Sequence, residues 1–241
     1  MGLRIGIDMD GVLADFDAAF RETETRLFGQ GEAGRAGEPE REEEAQALAD
    51  RRQAAKDGDA PEERLASARQ AKRKRDRVWQ VIQGTPNFWE TLRPLDTGAV
   101  KRLHGLMLAH RWEVFFITQR PKTAGDTVQR QTQRWLVDQG FDLPSVLVIG
   151  GSRGAAAGAL RLDYHIDDSP QNCLDVISDS RAKTILIVTD NDETTVASAR
   201  KVGVGTARSV AAALDVLEQL ATAQPQPGLL TRIAGMVGWR A

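Results

Sequence analysis

Five short apolar runs punctuate the chain: Leu3–Asp8, Val114–Thr118, Val146–Ile149, Tyr164–Asp167 and Thr184–Val188. Each is nearly continuous rather than alternating, the pattern of strands covered on both faces in a parallel sheet. Between them the apolar positions recur at helical spacing. Gly98–His110 places Val100, Leu103, Leu106 and Met107 on one face. Thr127–Gln139 places Val128, Trp135 and Leu136, and ends at Gly140, a residue suited to a helix C-terminus. Ala155–Leu162, Asn172–Ser178 and Thr194–Lys201 read as shorter helices. Strands alternating with helices predict an α/β fold with a doubly wound, parallel, five-stranded Rossmann-like sheet. Ligands of such sheets bind beyond the carboxyl ends of the strands. Asp8, Thr118, Gly150 and Asp167 all fall there.

The alternation breaks between the first two strands. Residues 17–94 hold few strand formers and are rich in Ala, Glu, Arg and Lys. Gly29–Pro39 reads as a loop; Glu40–Lys56 and Pro61–Gln83 read as helices, the second opened by Pro61. The predicted organisation is a core of residues 1–16 and 95–222, an inserted helical cap of residues 17–94, and a tail of residues 223–241. The tail begins with the linker-like AQPQPG and continues into an apolar helical face of Leu229, Leu230, Ile233, Met236 and Val237.

Charge is segregated inside the insertion. Glu32–Glu63 has eleven acidic and five basic side chains, whereas Arg69–Arg77 has six basic and one acidic. A solvated hairpin satisfies this pattern; so does a basic arm that attracts phosphorylated substrates. Over all 241 residues the formal charge is only -2, which excludes a general polyanion binder. The single cysteine, Cys173, rules out an intrachain disulfide and points to a reducing, cytoplasmic setting. No apolar run approaches the roughly 20 residues of a membrane span.

The chemistry concentrates where the strands end. In IGIDMDGVLADF the first strand stops at Asp8, with Asp10 one residue further and Gly11 next. Adjacent like charges are costly without a cation. A carboxylate at Asp8 can attack phosphorus, and Asp10 can give a proton to the leaving oxygen and later take one from water. Mg²⁺ suits such a site because it accepts few carboxylates, retains waters and takes a phosphate oxygen. In HIDDSPQN, Asp167 and Asp168 follow the fourth run. They are expected to complete the metal site of Asp8 and Asp10, with Asp167 as ligand and Asp168 beside it. One of Asp168 and Ser169 can also cap the next helix. Thr118 ends EVFFIT, where its hydroxyl and the following N–H groups of Gln119 and Arg120 can hold phosphate oxygens.

DMDGVLADF, FFITQRP and HIDDSPQN resemble motifs one, two and four of the haloacid dehalogenase (HAD) superfamily, in that order and on the expected strands. The second aspartate resembles the phosphatase branch and argues against carbon–halogen chemistry. PNFWETLRPLDTGAVKRL resembles the cap-return segment of the 5'(3')-deoxyribonucleotidase family. That likeness implies that Phe88 and Trp89 lie over a nucleobase; cap–core packing is the alternative. The superfamily's third motif supplies a lysine that has no counterpart in GGSRGAAAGALRLDYHIDD. Arg153 is the best-placed substitute, with Arg161 and Lys122 as other candidates. The resemblance covers about half the chain and implies a Mg²⁺-dependent hydrolase of small phosphomonoesters, foremost nucleoside monophosphates. Alternatives are a polynucleotide 3'-phosphatase using the basic arm, and a non-catalytic scaffold that binds partners through cap and tail.

Overall fold

The computed structural model describes residues 2–29, 61–189 and 192–222, without the side chains of 61–65. The expected helix Glu40–Lys56, the Gly29–Pro39 loop beyond Gly29 and the tail 223–241 lie outside these residues. Six parallel strands form one sheet, in the order β3-β2-β1-β4-β5-β6. They are β1 (Arg4–Asp8), β2 (Glu113–Thr118), β3 (Ser145–Val148), β4 (Tyr164–Asp167), β5 (Lys183–Ile187) and β6 (Gly205–Ala207). The sixth strand corrects the five expected. Gly205-Thr206-Ala207 is too short and too small-chained to register as an apolar run.

Among the described residues there are eight α-helices: α1 (Phe16–Phe28), α2 (Pro61–Gly84), α3 (Ala99–His110), α4 (Val128–Asp138), α5 (Arg153–Leu160), α6 (Pro170–Asp179), α7 (Glu193–Lys201) and α8 (Val210–Thr222). A one-turn 3-10 helix spans Phe88–Glu90. None is long and apolar enough to cross a membrane. Gly140 follows the C-cap Gln139 with φ 93°, the left-handed conformation expected of a glycine there.

Period-two alternation sorts the strand residues between two layers. Ile5, Ile7, Val114, Phe116, Ile166, Ile185 and Ile187 face the larger core cluster, which includes α3, α4 and α8. Arg102 on α3 clamps α8 through Asp215 (2.6 Å) and Glu218 (3.0 Å). On the opposite face Ile117 packs with Ala157, Leu162 and Val176 of the α5–α6 layer. Gly6 belongs to this second face: a Cβ there would come within 2.5 Å of Leu162 and 2.7 Å of His165. Asp8 lies two residues on, and therefore on the same face, towards α5.

Helices α5 and α6 approach backbone to backbone. A Cβ on Gly154 would meet the Asp175 carbonyl oxygen at 2.2 Å. Ser152 caps α5, accepting from the Gly154 and Ala155 amides, and its hydroxyl donates to Asp179 of α6 at 3.2 Å. The segment between β1 and β2 supplies α1, α2 and the 3-10 turn. These join the larger core through an aromatic cluster in which the Phe16 ring stacks on Trp79 at 5.3 Å and meets Trp89 at 5.5 Å.

Candidate active site

Register brings the predicted residues together. Asp8 pairs with Ile117 of β2, so Thr118 lies one step beyond it. On the other side Ile7 pairs with Ile166, so Asp167 lies level with Asp8 on the adjacent strand. Three strand ends thus present Thr118, Asp8 and Asp167 side by side. The chain then leaves β1 through a tight loop. The Gly11 and Ala14 amides donate to Ala14 and Met9 carbonyls at 3.0 and 2.8 Å, and Gly11 adopts φ 78°. Asp15 closes the loop by capping α1.

Arg153 opens α5 two residues earlier than the sequence pattern predicts, which sets it in the first helical turn. Its side chain is 1% exposed, and Nη2 donates to Asp8 Oδ1 at 2.5 Å. Its Nε lies 3.7 Å from Asp167 Oδ2. Arg153 therefore occupies the cationic position beside Asp8. Arg161 sits at the exposed C-terminal cap of α5, and Lys122 is exposed on the loop after β2.

Asp167 is fully buried and surrounded by donors. Oδ1 accepts from the Ser169 amide (2.9 Å) and from Asn172 Nδ2 (3.2 Å), while Oδ2 meets His165 Nε2 at 2.9 Å. Although burial works against ionisation, these hydrogen bonds and the charges of His165 and Arg153 hold its pKa below the usual carboxylate range. Asp168 points elsewhere. A Cβ on Gly11 would strike its Oδ2 at 2.0 Å, so its carboxylate lies directly over the β1 loop. Desolvation, then repulsion from Asp167, Asp10 and Asp17, raises Asp168 to about 8. Asp8 is also raised, first by burial, with the Arg153 charge opposing and the other aspartates adding to the shift.

Several expectations need correction. Phe88 and Trp89 are 6% and 1% exposed and pack edge to face at 5.2 Å. The Trp89 indole donates to the Pro121 carbonyl at 3.0 Å, and the Arg120 guanidinium lies over its ring at 4.8 Å. They are packing groups, because the aromatic cluster and Arg120 cover the faces a base would need. The Arg120 side chain turns to Asp10, while its backbone N–H, the group expected to meet phosphate, lies at the strand ends 3.4 Å from Thr118 Oγ1. The Gln119 amide donates to the Gly151 carbonyl at 3.2 Å and ties the β2 loop to the turn before α5.

The four aspartates do not close into one cage. Among the described residues no three acidic, His or Cys side chains gather as ready metal ligands. Arg153 instead holds one oxygen of Asp8, and Arg120 engages both oxygens of Asp10. A divalent cation still fits the donor chemistry. Asp8, Asp10 and Asp168 bring hard oxygen donors together after β1 and β4; burial raises Asp8 and Asp168 first, and neighbouring carboxylates add to the shift. The partners missed at sequence level are His165, Asn172 and the Arg120–Asp10 pair; of these only His165, two residues before Asp167 on the same strand face, left a local signal.

No family model and no curated protein sequence matches the chain. Solved structures do. A phosphonoacetaldehyde hydrolase-like protein from Oleispira antarctica superposes with TM-score 0.53 at 14% identity, covering 91% of this chain and 92% of that one. A protein assigned as a beta-phosphoglucomutase from Thermotoga maritima gives TM-score 0.50 at 18% identity, covering 90% and 99%. A HAD hydrolase of family IA from Entamoeba histolytica is more distant, with TM-score 0.44 at 10% identity over 87% and 94%. With its three motif segments ending β1, β2 and β4 of this parallel sheet, the chain has the fold of the haloacid dehalogenase superfamily.

Proposed function

We propose that the chain is a Mg²⁺-dependent hydrolase of small phosphomonoesters that works through an aspartyl-phosphate on Asp8. The observation that carries this reading is the Asp8 carboxylate at the end of β1, flanked by Thr118 and the motif-four aspartates and held by Arg153 at 2.5 Å. Asp8 attacks phosphorus as the ester P–O bond breaks, and Asp10 delivers its proton to the departing alkoxide. Water, losing a proton to Asp10, then attacks the phosphoryl group, frees inorganic phosphate and restores Asp8. Asp10 is disposed for this: its side chain is 24% exposed, and among the described residues Oδ2 accepts the Arg120 Nε–H alone, at 2.9 Å. Thr118, the N–H groups that follow it and Arg153 orient the transferred oxygens and offset their charge.

Asp8, the Asp10 carbonyl and Asp168 would hold Mg²⁺, which supplies charge neutralisation at the phosphoryl oxygens. Asp168 replaces Asp167 as the expected motif-four ligand, since both Asp167 oxygens are engaged by its own strand and helix. Burial of Phe88 and Trp89 removes the stacking argument for nucleoside monophosphates, so that finer reading rests on the resemblance of Pro86–Leu103 alone. A panel of mononucleotides, sugar phosphates and p-nitrophenyl phosphate with Mg²⁺ tests both levels. Hydrolysis that Asp8→Asn abolishes supports the mechanism; turnover undiminished in Asp8→Asn defeats it.

The polynucleotide alternative keeps one supporting observation. Residues 66–74 of α2 are exposed on every side and carry four of the six basic residues of Arg69–Arg77. Single-stranded DNA binding that falls steeply with salt would favour it over a mononucleotidase.

A further inference from the structure

We infer that Arg120 is a positioning residue: it fixes the carboxylate of Asp10, and Trp89 and Thr132 in turn fix Arg120. The inference rests on the phosphohydrolase reading and assigns to that site a residue that the superfamily motifs leave without a role.

Arg120 follows Thr118 by two residues, its side chain is buried, and all three guanidinium nitrogens donate to Asp10 or Thr132. What it touches therefore defines what it does. Nε donates to Asp10 Oδ2 at 2.9 Å and to Oδ1 at 3.2 Å, and Nη2 donates to Oδ1 at 2.7 Å. Nη1 turns away and donates to Thr132 Oγ1 on α4 at 3.0 Å. The flat face lies over the Trp89 ring at 4.8 Å. Fork, hydroxyl and ring constrain the guanidinium in and out of its plane. A lysine, with one point-like donor group, could meet only part of this set.

The support is itself fixed. The Trp89 amide donates to Gln131 Oε1 at 3.1 Å, and Gln131 Nε2 donates to the Asp126 carbonyl at 2.6 Å. Trp89 is wedged among Phe16 and Phe88. Asp10 stands one residue before a glycine at positive φ, in a loop whose own bonds hold backbone but not side chain. Arg120 supplies what the loop lacks: an orientation for the carboxylate that leaves one side of Oδ2 open. Catalytic groups placed even about 1 Å from their productive geometry lose much of their effect.

The test separates positioning from plain stability by leaving group. p-Nitrophenolate departs without a proton, whereas the alkoxide of glycerol 2-phosphate needs one. kcat/KM is measured on both substrates for the full chain, Arg120→Lys, Thr132→Val and Asp10→Asn. General-acid help is worth about 10²–10⁴-fold. We expect Arg120→Lys to lose at least about tenfold on glycerol 2-phosphate and less than about threefold on p-nitrophenyl phosphate, in the direction set by Asp10→Asn. Thr132→Val, which removes one hydrogen bond and keeps the fold, shows the same bias more weakly. Equal losses on both substrates in Thr132→Val, or in a folded Arg120→Lys, overturn the inference while leaving the phosphohydrolase reading intact. Absence of hydrolysis of either substrate by the unmodified chain overturns both.

Discussion

Gly11→Ala is the most informative single change to the β1 loop. An alanine Cβ would sit 2.0 Å from Asp168 Oδ2, where real Cβ contacts do not fall below 3.0 Å, so the carboxylate must retreat by about 1 Å. Because that oxygen ends a flexible side chain, the steric part costs little. The backbone part does not relax: φ stays at 78°, and a left-handed residue with a Cβ costs about 1–2 kcal/mol. For a chain of this size that lowers Tm by about 2–8 °C. The site loses more than the fold. Mg²⁺ demands near-ideal oxygen distances, and a displacement of about 1 Å can cost on the order of a hundredfold. We expect Mg²⁺ binding, measured by titration calorimetry, to weaken by about ten- to a hundredfold while the protein still unfolds cooperatively. Asp168→Asn should weaken it similarly, and the double variant should lose little more than either alone, since both act on one oxygen. Wild-type Mg²⁺ affinity in Gly11→Ala, alongside the expected drop in Tm, would refute the assignment of Asp168 to the ion.

Other consequences are equally direct. Arg153→Met removes the charge 2.5 Å from the buried Asp8; breaking such a pair costs about 3–5 kcal/mol, read by urea denaturation at neutral pH, and Arg153→Lys should recover part of it. Trp135 is 1% exposed and its indole donates to the Leu92 carbonyl at 2.7 Å, so Trp135→Ala should lose about 3–5 kcal/mol in the same assay. Tyr164 is the only tyrosine, and burial, aided by Asp163, raises its pKa above the usual 10. The unfolded chain thus releases this proton first, so its contribution to stability is present below pH 10 and is lost as pH climbs towards the folded value. Ultraviolet titration of native and unfolded protein would show the two midpoints in that order. Cys173 is 0% exposed with a thiol pKa pushed far up by burial, so a thiol-specific reagent should label it only as the fold opens.

The sheet was readable because five of its strands are dense apolar runs whose ends coincide with carboxylates or a threonine. The sixth was not, since Gly205-Thr206-Ala207 acquires strand geometry only by pairing with Ile185–Ile187 at the sheet edge. Helix α1 was hidden differently: Phe16, Phe20 and Leu27 have helical spacing behind the cap Asp15, but the charged residues between them merged with the polar insertion. In the site, Asp8, Asp10, Thr118, Arg153 and the aspartate pair were legible because strand ends and residue types are local properties. The partners of those groups were not. Arg120 reaches Asp10 across 110 positions and Arg153 reaches Asp8 across 145, distances over which no spacing rule operates. Phe88 and Trp89 illustrate the same limit. Their composition fits a base-stacking surface and a core equally well, and only the packing of Phe16, Trp79 and Arg120 around them decides for the core.

The backbone contact between α5 and α6 makes a single lever of two parts of the site. Helix α5 carries Arg153, which holds Asp8; helix α6 carries Asn172, which steadies Asp167. With Gly154 seated against Asp175 there is no slack for one helix to shift alone. Any side chain added at Gly154 would pry the pair apart and drag the guanidinium and the amide off their carboxylates in one stroke. Tolerance to change is therefore low at a residue that touches none of the four carboxylates.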